Sequence, residues 1–120
     1  MTNIEKKIKE VNDRLSIIIN KLNIPDYLIP KINISNDLAY PYIDVGEDSS
    51  LFLVIRERGV EYERVQYPTI EMLFLKLFEY ITFELAVIEE KKIRKNDEDY
   101  SVSKINQIQK KLLKKIDLIN

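Results

Sequence analysis

LFLVIRERGVEYERVQYPTIEMLFLKLFEYITFELAVIEEKKI, residues 51–93, is the stretch that decides the fold. It opens with a run rich in Leu, Phe, Val and Ile from Leu51 to Glu57, turns at Arg58-Gly59, and runs again from Val60 to Tyr67. β-Branched and aromatic residues at this density favour extended chain. Gly59 supplies the positive φ of a tight hairpin. Two- and four-residue loops centred on Arg58-Gly59 give the same pairing and place Arg56 opposite Glu61, an opposite-charge pair worth about a few tenths of a kcal/mol. After Pro68 the period changes. Thr69 is a good N-cap, and Ile70, Leu73, Phe74, Leu77, Ile81, Leu85 and Ile88 recur at helical spacing, predicting a helix over about 69–94. Met72, Leu75, Phe78, Tyr80, Phe83 and Val87 widen the stripe almost all the way round. Such a helix is central, lying across the sheet with another helix on its far side.

Upstream, Tyr42 to Val45 is a third extended run, joined to Leu51 by the turn-forming Gly46-Glu47-Asp48-Ser49-Ser50. Lys31 to Ser35 alternates polar and apolar between Pro30 and Pro41, as a short edge strand would. The first element is a helix over about Asn3 to Leu22, with its apolar stripe at Ile4, Ile8, Val11, Leu15, Ile18, Ile19 and Leu22. Thr2 and Glu5 have capping-box spacing, and Pro25 stops the helix. Downstream, Asn96 to Asp99 is a polar break. A last helix follows over about Ser103 to Leu118, capped by Ser101 or Ser103 and buried along Ile105, Ile108, Leu112, Leu113, Ile116 and Ile119. The expectation is an α+β fold in a single domain over residues 1–120: an N-terminal helix, a three-stranded antiparallel meander, then a long central helix and a C-terminal helix packed as a layer on the sheet.

Composition narrows the chemistry. Two glycines and four prolines in 120 residues argue against disorder and against a turn-rich β fold. Cysteine is absent, so there is neither a disulfide nor a thiol nucleophile. Histidine is absent as well, which removes the commonest general base and the commonest zinc ligand. The N-terminal MTNIEKKIKE lacks the apolar segment of a secretory signal. The longest apolar stretch, Ile81 to Ile88, is interrupted by Thr82 and Glu84 and falls far short of the roughly 20 residues of a membrane span. A cytoplasmic protein without a membrane partner is expected. Charge is uneven: residues 1–22 sum to +2, residues 23–88 to −6 and residues 89–120 to +3. Either the oppositely charged elements pack side by side, or the acidic middle faces a basic partner.

Carboxylate clusters that could replace His and Cys fail on spacing. Asp97-x-Asp99-x-Ser101 opens like a calcium loop, but Val102 stands where glycine is needed and Ile108 where the bidentate Glu is needed. The acids of the long helix, Glu71, Glu79, Glu84, Glu89 and Glu90, contain no i, i+3 pair, so the magnesium-holding face of a nucleotide pyrophosphatase is missing. Two isolated glycines make no phosphate loop. No metal, cofactor or catalytic residue is expected. Lys104, Lys110, Lys111, Lys114 and Lys115 lack arginine and interleaved aromatics, and the acidic middle repels phosphate, so nucleic acid is not the expected partner. Glu84 lies on the apolar stripe. It is either a buried charge paired with Arg56 or Arg64, or a sign that this face emerges from the core. Around the hairpin, Asp44, Glu47, Asp48, Glu57, Glu61 and Glu63 gather with Tyr42, Tyr62 and Tyr67. That is the composition of a binding surface, and equally of an exposed sheet face with cross-strand pairs. The candidate partner-binding residues are Tyr42, Asp44, Glu57, Arg58, Glu61, Glu63 and Arg64.

Taken in order, Pro25 to Pro30 (Pro-Asp-Tyr-Leu-Ile-Pro), Pro41-Tyr42-Ile43, Glu57-Arg58-Gly59, Glu63-Arg64 and Ile81-Thr82-Phe83-Glu84-Leu85-Ala86 resemble the Imm63-type immunity proteins of bacterial polymorphic toxin systems. The resemblance runs from about residue 20 to residue 113. It departs after Asp99, where Ser101 and Val102 replace expected arginines. The resemblance implies a non-catalytic protein of the toxin-producing cell, whose partner is a cognate toxin domain neutralised by occlusion. Against a basic nuclease, the acidic hairpin would stand in for nucleic-acid phosphates. Two other classes stay open: a non-catalytic adaptor or structural protein that forms a homodimer through its long apolar helix, and a small metal-dependent nucleotide hydrolase.

Overall fold

The computed structural model describes residues 1–95 and 101–116. Helix α1 spans Asn3–Leu22. The Thr2 hydroxyl accepts the Glu5 amide at 3.2 Å and donates to the Glu5 carboxylate at 3.0 Å, so the expected cap is present. The helix stops earlier than Pro25. Asn23 turns left-handed at φ 53°, its N–H returns to Asn20, and the Ile24 N–H returns to the Ile19 carbonyl at 3.1 Å. This is the left-handed helix ending that Asn, after Gly, adopts most readily. A short 3-10 turn at Asp26–Leu28 follows.

Strands β1 (Tyr42–Val45), β2 (Leu51–Glu57) and β3 (Val60–Tyr67) form an antiparallel sheet in the order β1-β2-β3, with the bounds read from the sequence. The hairpin turn has Arg58 at φ 53° and Gly59 at φ 79°. Positive φ at both central residues matches the right-handed twist of the flanking strands. Arg56 does face Glu61, but the register shifts between Ile55 and Arg56, which leaves Tyr62 as the extra residue of a bulge. The expected Lys31–Ser35 edge strand reduces to one parallel bridge, Ile32 to Ile43. A side chain completes the pairing: the Asn33 amide accepts the Val45 N–H at 2.6 Å and donates to the Val45 carbonyl at 3.2 Å. Asn33, at φ 58°, has already turned its backbone away from the strand direction.

Helix α2 spans Ile70–Ile93 with Thr69 as its N-cap, and α3 spans Val102–Lys114 with Ser101 as its N-cap. The expected polar break at Asn96 to Asp99 lies outside the described residues, and so do Leu118 and Ile119; the last helix ends at Lys114, short of the expected Leu118, with Lys115 as its C-cap. The core lies on one face of the sheet. Ile43, Val45, Leu51 and Leu53 meet Val11, Leu15, Ile18 and Leu22 of α1 and Ile70, Leu73, Phe74, Leu77, Phe78 and Ile81 of α2. Phe74 and Phe78 pack edge to face at 5.7 Å. Leu112 and Leu113 of α3, and Ile116 just beyond its end, add partly buried apolar side chains to the same cluster.

The buried face of α2 changes along its length. Up to Ile81 it points at the sheet. Beyond that point the fully buried residues are Thr82, Ala86 and Glu90, four apart, and they face α3. Gln109 of α3 donates to the Thr82 hydroxyl at 3.2 Å and to the Glu79 carbonyl at 3.0 Å. Because α3 covers only this flank, Met72, Leu75 and Phe83 remain 45–50% exposed.

Candidate protein-docking surface

The face of the sheet turned away from the core carries Tyr42 and Asp44 on β1, Phe52, Val54 and Arg56 on β2, and Glu61, Arg64 and Gln66 on β3. The register sets Tyr42 beside Val54 beside Arg64, and Asp44 beside Phe52 beside Gln66. Arg64 organises this face. Its Nη1 donates to Asp44 Oδ2 and its Nε to Glu61 Oε1, both at 3.0 Å, and its guanidinium lies 5.3 Å from the Phe52 ring centre. A planar cation held on both edges and stacked on an aromatic ring loses little freedom when a partner arrives. The Asp44 hydrogen bond is the main cause that raises the Arg64 pKa above its ordinary value.

Arg56 does not take up Glu61, despite facing it. Its Nε donates to Asp37 Oδ1 at 3.0 Å and its Nη2 to the Gly59 carbonyl at 3.2 Å, tying the 37–39 segment and the hairpin turn together. Tyr42 and Val54 are buried among these side chains although they lie outside the main core cluster. Burial raises the Tyr42 phenol above its usual value, and Arg56 and Arg64 draw it back. Arginine stems covering apolar strand residues explain how this face stays dry.

The candidates therefore divide. Tyr42, Asp44, Glu61 and Arg64 share the outer face, and Glu57 and Arg58 form the hairpin end. Glu63 sits on the opposite face, across from Ile55. There its carboxylate acts on Tyr80 and Tyr67: burial raises both phenols first, and Glu63 raises them further. Lys76 lies 5.7 Å from the Tyr80 ring centre and 3.1 Å from Glu79. Phe52, Asp37, Lys76 and Tyr80 were not singled out from the sequence. The Arg64–Phe52 stack follows from the register, but the Asp37 contact comes from an irregular segment with no pattern of its own.

Glu84 is not a buried charge and pairs with neither Arg56 nor Arg64. It is exposed beside Tyr40 and Phe83, in an open depression of about 380 Å³ between the 39–41 segment, α2 and Gln109. This is the emerging helix face, as the turn of the buried stripe toward α3 requires. The buried acid is Glu90, 2% exposed, which accepts the Ser101 N–H at 3.3 Å and lies 3.5 Å from Arg94. It anchors the start of α3. Among the described residues no group of three or more His, Cys, Asp or Glu could hold a metal ion. No helix among them is long and apolar enough to cross a membrane.

The family described as immunity protein 63 matches residues 47–118. That span holds β2, β3, α2 and α3, and so includes Glu57-Arg58-Gly59, Glu63-Arg64 and Ile81 to Ala86. Pro25 to Pro30 and Pro41 to Ile43 precede it. It continues through the final helix, where the resemblance read from the sequence departs. No curated protein and no solved structure matches the chain.

Proposed function

Since the chain belongs to the immunity protein 63 family, we propose that it binds a cognate toxin domain in the bacterial cytoplasm and neutralises it by covering it, with no chemistry of its own. The observation that carries this reading is the braced Arg64 on the open sheet face, stacked on Phe52 and held by Asp44 and Glu61. Preorganised arginine and aromatic groups on an exposed face are what a specific protein interface uses as anchors. Residues 1–120 would act as one binding domain. The test is growth of cells expressing the toxin domain encoded next to this gene, with and without this protein. Rescue is expected. Rescue should weaken when Asp44, Glu57, Glu61 and Glu63 are all replaced by Lys. Glu57→Lys with Glu63→Lys is the cleaner variant, because neither residue braces Arg64. Growth arrest in the presence of the wild-type chain would reject the reading.

A homodimer is the second reading, favoured by the half-exposed Met72, Leu75 and Phe83 on α2. Light scattering decides between a mass near 14.3 kDa and twice that value.

A further inference from the structure

We infer, resting on the toxin-binding reading, that the free edge of β3 receives an extended segment of the toxin domain as a fourth strand, with a Lys or Arg of that segment opposite Glu63. The two edges of the sheet are treated differently. On β1 the edge is closed: the Asn33 N–H donates to the Ile43 carbonyl at 2.8 Å, the Ile43 N–H donates to Lys31 at 2.9 Å, and the Asn33 amide takes both backbone groups of Val45. Even the part of β2 that overhangs β1 is engaged, through the Ala39 N–H on the Arg56 carbonyl at 2.8 Å. On the other side, β3 runs eight residues without proline, and nearly all of it is exposed. Among the described residues its only strand partner is β2. A long unpaired edge is a template for another strand, and proteins usually shorten or cover one that has no use.

Glu61, Glu63, Arg64 and the bulge at Tyr62 do not close this edge; they select what joins it. Arg64 is already neutralised by Asp44 and Glu61. Arg58 at the turn offsets Glu57 beside it, and the carboxylate left along β3 itself is Glu63, which favours Lys or Arg opposite it on the incoming strand. Apolar holds flank the edge: Val60, Tyr62 and Val65 on the strand are 52%, 66% and 36% exposed. Tyr67 and Tyr80 stand near Glu63 on the helix side. Backbone pairing would supply affinity, and these alternating side chains would supply selectivity.

Hydrogen exchange on the full chain, free and bound to the toxin domain encoded next to its gene, tests this. The fast-exchanging amides of residues 60–67 should slow by about tenfold or more on binding, with residues 42–45 unchanged. Proline at Val65 or Gln66, whichever N–H exchanges fast in the free protein, should abolish binding while the thermal midpoint holds. Binding with protection only elsewhere overturns edge docking and leaves toxin binding standing. Protection at 60–67 that grows with the chain's own concentration, without toxin, makes a second copy the occupant and overturns the inference. Absence of any binding overturns both readings.

Discussion

Arg58 occupies the first central position of the hairpin turn at φ 53°, where a β-carbon is disfavoured and Asn is the usual residue before Gly. Arg58→Asn should therefore raise stability by about 0.5–1 kcal/mol in urea unfolding. If the hairpin end touches the toxin, the same variant should bind it less tightly, since strain kept at a surface turn is a mark of use. The two carboxylates at issue on α2 should separate in the same assay. Glu84→Leu should change stability by less than about 0.5 kcal/mol, because the side chain is exposed. Glu90→Ala should cost about 1–3 kcal/mol, because it strands the Ser101 N–H and Arg94 beside a buried hole. The sequence left Glu84 open between a buried charge and an emerging helix face, and offered no sign of Glu90, for a physical reason. A helical stripe drawn through one partner places Glu84 inside, and only the docking of α3 turns the buried face to Thr82, Ala86 and Glu90. Asp48 supplies a pH dependence. The Ser50 hydroxyl and amide, at 2.6 and 3.1 Å, hold its carboxyl below the ordinary value of 3.8. A depressed folded-state value stabilises above 3.8 and is lost as pH falls through the folded-state value, so acid should loosen the β1–β2 turn. Asp48→Asn should reduce the acid-side slope of the thermal midpoint.

At the scale of the element, α1, the three strands and α2 were legible almost to the residue, because each rests on local signals. Period-two and period-3.6 patterns lie within single segments, Thr2 and Thr69 mark helix starts, and Arg58-Gly59 fixes one hairpin register. The closing of the β1 edge was not legible, since it depends on one left-handed asparagine whose side chain imitates a peptide group toward Val45. Alternation in Lys31 to Ser35 correctly placed that segment against the sheet but overstated its pairing. Asn33→Gly isolates the amide, because glycine accepts φ 58° without strain. The substitution should cost about 1–2 kcal/mol and expose the Val45 backbone groups. It should also bring concentration-dependent association through the newly opened edge, read by gel filtration. A variant that stays monomeric at high concentration would show that the 31–33 backbone guards the edge unaided.

Over the whole molecule, the acidic middle and the basic ends lie against one another in the fold. Arg14 to Glu71 at 2.8 Å ties α1 to α2. Among the described residues, the pairs Asp37–Arg56, Asp44–Arg64, Glu61–Arg64 and Lys76–Glu79 begin and end within residues 23–88. They leave the −6 of that segment uncancelled. The lysine-bearing α3 also packs on α2, so packing side by side accounts for part of the asymmetry, while the hairpin over residues 51–67 is itself balanced at three bases and three acids. Which surfaces stay open was beyond the sequence, because exposure on α2 and β3 is set by where the helices dock. A basic toxin domain should associate faster at low salt, slowing by about tenfold or more as ionic strength rises and the screening length drops below about 10 Å. Glu57→Lys with Glu63→Lys should lower the association rate and flatten its salt dependence, while changing dissociation less. Stopped-flow mixing at several salt concentrations measures both rates. An association rate indifferent to salt and to both substitutions would mean that the sheet's charge plays no part in capture, leaving any affinity to the Arg64–Phe52 stack and the open strand edge.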